Sequence, residues 1–198
     1  MSDLPEHSNV GHIIDIEKLP EYFPTMHIDS LFWESLGRTV ATFGYLEEVL
    51  GKAIFALTAT QKYDSEQDLH NAYADWLKIL EKALSDQLGR LIASYETAMQ
   101  AQSVEIVGFV DLVENLKLAA RIRNVLCHGS WKTPDDKGQS IPFFVNNKTE
   151  TFVTPIDIGY LATTQRATAE LACEVINSVT SMGWQFPGSN GPGKEISI

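Results

Sequence analysis

The sequence predicts an all-α protein, an antiparallel four-helix bundle with a small β-hairpin insertion between the third and fourth helices. Three observations carry that expectation. Apolar residues recur at three- and four-residue steps over long stretches, the spacing that lines one face of a helix. Short connections between such stretches favour antiparallel neighbours. One segment, about residues 129–154, breaks the helical period and gathers β-branched and aromatic residues around turn-forming ones.

Residues 1–27 hold Pro5, Pro20 and Pro24 and read as an irregular arm lying on the body, because proline interrupts a helix. The bundle is expected over 28–183. From Ser30, the residues Leu36, Val40, Phe43, Leu50, Ile54 and Leu57 mark one face of a long first helix. Ser65 with Asp68 suits the cap of a second helix, in which Tyr73, Leu77, Leu80, Leu84, Leu88, Leu91 and Tyr95 continue the spacing to about Met99. A third helix is expected from near Ser103 through Phe109, Val113, Leu116 and Ala120. It should stop at Gly129, since glycine tolerates the left-handed conformation that ends helices.

Within the insertion, Gly129–Lys132, Ser140–Val145 and Thr149–Thr154 fit short strands, with Asn146-Asn147 closing a hairpin. Thr154-Pro155-Ile156-Asp157 then reads as a helix start, with Thr154 as the cap. Leu161, Leu171, Val175, Val179 and Met182 define the fourth helix, ending at Gly183. Residues 184–198 are expected to be a flexible tail, Gly/Pro/Ser-rich from Pro187.

Composition narrows the functional classes. The 198 residues suit one domain, and a 44% hydrophobic content excludes disorder as the overall state. No apolar run approaches the roughly 18–20 residues a membrane span needs, and a cleaved secretory signal is not expected of the first residues, which carry two acids before any base and no apolar core. With two isolated cysteines, Cys127 and Cys173, a reduced cytoplasmic location is expected. A net charge of −11 argues against a non-specific nucleic-acid coat. Yet Leu116 to Pro134 contains Lys117, Arg121, Arg123 and Lys132 and no acid.

That stretch holds the chemistry, in Ala120-Arg121-Ile122-Arg123-Asn124-Val125-Leu126-Cys127-His128-Gly129. Arginine offers a planar, permanently charged fork matched to phosphate oxygens. Histidine exchanges protons at neutral pH, and an amide orients either partner. Together these suit RNA cleavage through the 2′-hydroxyl, which needs a proton acceptor, a proton donor and a cation for the phosphorane. No metal or cofactor is needed for that set.

Arg123-Asn124, three residues, then His128 resembles the motif of the HEPN domain (higher eukaryotes and prokaryotes nucleotide-binding). That motif is an Arg, four to six residues and a His at the end of a long bundle helix, usually with a polar residue after the Arg. The resemblance covers residues 30–182 loosely, and its specific content is the six residues Arg123–His128. It implies a metal-independent endoribonuclease, acting as a homodimer whose two motifs meet at one cleft. A toxin or defence role would follow, with an antitoxin-like protein partner. Arg123 and His128 would be catalytic and Asn124 positioning, and RNA the substrate.

Further readings come from the residues themselves. Residues five apart on an ideal helix differ by about 140° in azimuth, so Arg123 and His128 share a face only if the helix unwinds near Cys127 or Arg123 reaches round. Asn124 and Arg121 do share the face of His128, and Arg121 and Lys117 are the candidate RNA-binding cations. Glu47 interrupts the apolar face of the first helix; either it pairs with a cation, Arg121 or Arg123, whose orientation it would fix, or it lies at the edge of the stripe and reaches water. Trp131 suits either a stacked base or an anchor for the insertion, with the anchor favoured. Gly37, Gly44 and Gly51 form a stripe that permits close helix approach.

Other signals fail. Gly188 to Lys194 has the spacing of a phosphate loop, but Glu195 follows where Ser or Thr belongs. His7, His12 and His27 fit no metal-ligand spacing. The alternative to a nuclease is a non-catalytic helical-bundle module for protein interaction or nucleotide binding.

Overall fold

The computed structural model describes residues 13–59, 88–102 and 106–188. The expected features at Ser65, Asp68, Tyr73, Leu77, Leu80, Leu84 and Ser103, and those of residues 1–12 and 189–198, lie outside them. Among the described residues the protein is predominantly helical, with four α-helices: α1 (Ser30–Ala59), α2 (Leu88–Gln100), α3 (Phe109–His128) and α4 (Ile158–Thr180). None of them is long and apolar enough to cross a membrane.

The apolar stripes meet in one core. Phe43, Leu46, Leu50 and Leu57 of α1 bury against Leu161, Val175 and Val179 of α4, Tyr95 of α2 and Leu116 of α3. Removing each such side chain from water stabilises by roughly 1.5–3 kcal/mol, which holds the helices together. The interface of α1 with α4 is the most extensive. Within it the fully buried Thr39 hydroxyl, 3.2 Å from the Leu161 carbonyl, ties α1 to the first turn of α4. At the other end of α4, the Tyr95 hydroxyl of α2 lies 2.6 Å from Ser178 Oγ.

The end of α3 lies beside the beginning of α1. Arg123 faces Glu47, and Trp131, just beyond α3, packs edge-on against Phe32 and Trp33 at ring separations of 5.0 and 6.2 Å. Residue numbers rise along α3 as they fall along α1, so the two run in opposite directions. Trp131 is the anchor of the insertion.

The insertion is not a β-hairpin, and the described residues contain no sheet. Three isolated antiparallel bridges, Ser130 with Phe143, Ser140 with Ile156 and Val145 with Thr151, fold the segment on itself. Each bridge stops after one pair, and the segment carries prolines, which have no N–H to donate, at 134, 142 and 155. The turn does fall at Asn146-Asn147, but it spans Asn146 to Glu150. The Asn146 side-chain oxygen accepts from the backbone N–H groups of Lys148 (2.9 Å) and Glu150 (3.0 Å).

Several boundaries differ from the expectation. The cap of α4 is Asp157, not Thr154, because Ile156 is fully buried and exchanges two backbone hydrogen bonds with Ser140, which keeps the preceding residues extended. Helix α3 starts at Phe109, after Gly108 in the left-handed region (φ 79°). Most of the described arm is exposed, with Ile13, Ile14 and Ile16 around a 3₁₀ turn; Thr25 and Met26 are half-buried, and Ile28, just after the arm, packs on the core. The tail begins later than expected, since Trp184 packs on the core and Phe186 is buried in it. No described atom lies within 4 Å of a Cβ built on Gly37, Gly44 or Gly51, so the stripe mediates no close helix approach among the described residues.

Candidate functional site

Helix α3 changes character along its length. Leu112, Val113 and Leu116 are buried, the middle turns are half-buried or exposed, and Val125 and Leu126 return to the core. This alternation fixes the rotation of the last turns. With Val125 and Leu126 inward, Arg121, Asn124 and His128 lie on the exposed side.

Arg123 points elsewhere. Its Nη2 lies 3.4 Å from Glu47 Oε1 on α1, with both side chains about a quarter exposed (23% and 27%). Its Nη1 donates to the Asn124 side-chain oxygen at 3.4 Å. The buried Glu47 Oε1 accepts no hydrogen bond, so the Glu47 contact is one of charge more than of geometry. Of the two arginines considered for Glu47, the structure selects Arg123.

The helix does not unwind near Cys127. It continues regularly to His128, and the Gly129 N–H closes its last turn on the Val125 carbonyl at 2.8 Å. Arg123 and His128 therefore stay on different faces, and one chain does not bring them together. Gly129 itself is extended (φ −70°), not left-handed. Glycine stands there for want of space: a Cβ would meet the Val125 carbonyl oxygen at 2.6 Å and Pro142 Cβ at 2.8 Å.

His128 is exposed and has no hydrogen-bonding or ionic partner among the described residues, so it does not cap the helix carbonyls. The cationic stretch is narrower than its sequence suggests. Lys117 lies 3.3 Å from both Glu96 and Glu114, and these carboxylates, Glu114 foremost, raise its ammonium pKa. With Arg123 on Glu47, Arg121 and Lys132 are the two of these cations without an acidic partner among the described residues. Lys132 sits 5.8 Å above the Phe143 ring, a cation–π contact.

Sequence reasoning misses the structure facing this side of α3. A groove of about 320 Å³ runs between the helix and the Asn146 turn. Arg121, Asn124 and Ile122 form one wall, and Phe144, Glu150 and Phe152 the other. The walls lie twenty or more residues apart in the chain, so no local spacing announces them. No described group of histidine, cysteine or carboxylate side chains has the arrangement of a metal site. Compared with known protein families, curated proteins and solved structures, the chain matches none.

Proposed function

We propose that the protein is a metal-independent endoribonuclease of HEPN type, working as a homodimer. One observation carries the reading: Asn124 and His128 are presented to solvent at the end of α3 while Arg123, beneath them, is held by Glu47. A positioned arginine and an unencumbered histidine are what 2′-hydroxyl chemistry on a phosphodiester requires. His128 takes the proton from the 2′-hydroxyl as its oxygen attacks phosphorus. The same histidine of a second copy protonates the departing 5′-oxygen, leaving a 2′,3′-cyclic phosphate and a 5′-hydroxyl. Arg123 stabilises the negative phosphorane, and Asn124 orients Arg123.

The two-fold arrangement follows from the placement of the motif. Arg123 and His128 diverge on one helix, and one chain has one motif histidine for two proton transfers. Two copies related by symmetry supply both histidines and allow the arginine of one to serve beside the histidine of the other. Activity of this type calls for restraint by an antitoxin-like protein, and a cytoplasmic role as toxin or defence effector fits it.

A second reading is favoured by the Arg123–Glu47 pair, which already occupies the arginine. On that reading the bundle is a non-catalytic module for protein interaction or nucleotide binding. Cleavage of total RNA in EDTA separates the two. Wild type should cleave, and His128→Ala should lose about a hundredfold or more with fold and dimer intact. Equal cleavage by both proteins removes His128 from the mechanism, and cleavage by neither favours the module.

A further inference from the structure

Four features of the groove beside the motif restrict what it takes. Its floor and sides are apolar, built from Leu118, Ile122, Phe144 and Phe152. Arg121 places a cation at its wall, with no acidic partner within salt-bridge distance among the described residues. Asn124 uses its side-chain oxygen on Arg123, which leaves its amide N–H groups to donate. Glu150 places a carboxylate opposite, with Oε2 accepting from Asn146 Nδ2 at 2.8 Å and Oε1 left over.

The wall bearing Glu150 is firmly built despite lacking a strand. The Phe152 N–H donates to the Phe144 carbonyl at 2.9 Å, the Asn146 N–H to the Glu150 carbonyl at 3.1 Å, and Val145 bridges Thr151. A lipid tail would strip water from Arg121 and Glu150 without replacing it, and a bare phosphate would be repelled by the carboxylate. A flat ring with apolar faces and a polar edge, joined to an anion, satisfies all four features.

We propose that this groove is a nucleobase pocket that selects guanine. The inference rests on the ribonuclease reading for its purpose, which is to hold the base beside the cut bond. The guanine faces lie against Phe144 and Phe152. Its carbonyl accepts from the Asn124 amide, its N–H groups donate to the Glu150 carboxylate, and Arg121 meets the attached phosphate. Adenine presents no carbonyl to the amide, and cytosine and uracil present a single donor group to the carboxylate. The pocket therefore supplies sequence preference to a protein whose net charge repels RNA.

The test is calorimetric titration of the full-length protein with the four nucleoside 5′-monophosphates, with RNA cleavage and sedimentation measured on the same preparations. Guanosine monophosphate should bind tightest. Glu150→Gln and Phe152→Leu, the second chosen to remove the ring and keep an apolar side chain, should each weaken it about tenfold with unchanged circular dichroism. Equal affinity for all four nucleotides, or no change in Glu150→Gln, overturns the proposal. Absence of nucleotide binding in a protein that cleaves RNA overturns the pocket and leaves the ribonuclease reading standing. Guanosine binding as expected without cleavage of any RNA sustains the pocket and sinks the ribonuclease. If no nucleotide binds and Phe152→Leu dissociates a dimer, the groove belongs to a second copy and the proposal falls.

Discussion

Arg123 of α3 and Glu47 of α1 face each other at 3.4 Å, joining the motif to a different helix of the bundle. Deleting either partner strands the other in a half-buried site. Arg123→Ala and Glu47→Ala should each destabilise by about 1–3 kcal/mol, and the double variant by less than their sum. A coupling of about 1 kcal/mol in a urea-melt double-mutant cycle is expected, and strict additivity would show the pair to be energetically idle.

Gly129→Ala should destabilise by about 1–3 kcal/mol, although its φ of −70° suits alanine. The cost is steric, since the new methyl group must displace Pro142 or the last turn of α3. On the proposed mechanism, RNA cleavage should fall with it, because His128 is the residue before. A variant as stable as wild type in thermal melts would show that Pro142 yields freely.

Asp157→Ala should cost about 1 kcal/mol, and Thr154→Ala nearly nothing, which discriminates the observed cap from the expected one. The Tyr160 N–H, followed by the Gln139 amide, holds the Asp157 carboxyl below its usual pKa. A lowered folded pKa gives stability that is present above the unfolded value of about 3.9 and lost as pH falls through the folded one. The gap between wild type and Asp157→Ala should therefore narrow below about pH 4 in melts across pH.

Tyr95 is fully buried beside Ser178, and desolvation pushes its hydroxyl up to about 12. Between about pH 10 and 12 the unfolded chain ionises this group and the folded one does not, so stability falls as pH rises. The loss should reach about 2–3 kcal/mol in wild type, and this component should vanish in Tyr95→Phe. Absorbance titration near 295 nm, taken as the difference between wild type and Tyr95→Phe, should show Tyr95 ionising near pH 12 in the folded protein.

The helices were readable where one face is apolar throughout. Leu50 and Leu57 of α1 and Val175 and Val179 of α4 announce their burial by spacing alone. Glu47 is readable in part: a charge in an apolar stripe either takes a cation or reaches water, and only the packing of α1 on α3 shows which arginine faces it. The cap of α4 is not readable. Thr154-Pro155 has the right local chemistry, but burial of Ile156 in a long-range bridge overrides it. The hairpin is absent although Phe144, Val145 and Phe152 have strand propensity: their pairing stops at the single bridge of Val145 with Thr151. The groove was invisible because Asn124 and Glu150 meet only after the insertion folds back on α3.

The aromatic cluster under the insertion has an optical consequence. The indoles of Trp33 and Trp131 stand 6.2 Å apart at 81°, close enough for their excited states to couple. Trp131 follows His128 by three residues along the chain, and Trp33 sits on α1. The protein thus carries a built-in spectroscopic ruler across the end of α3. Any displacement of that end, whether by ligand, partner or substitution, registers in near-ultraviolet dichroism and emission without a label.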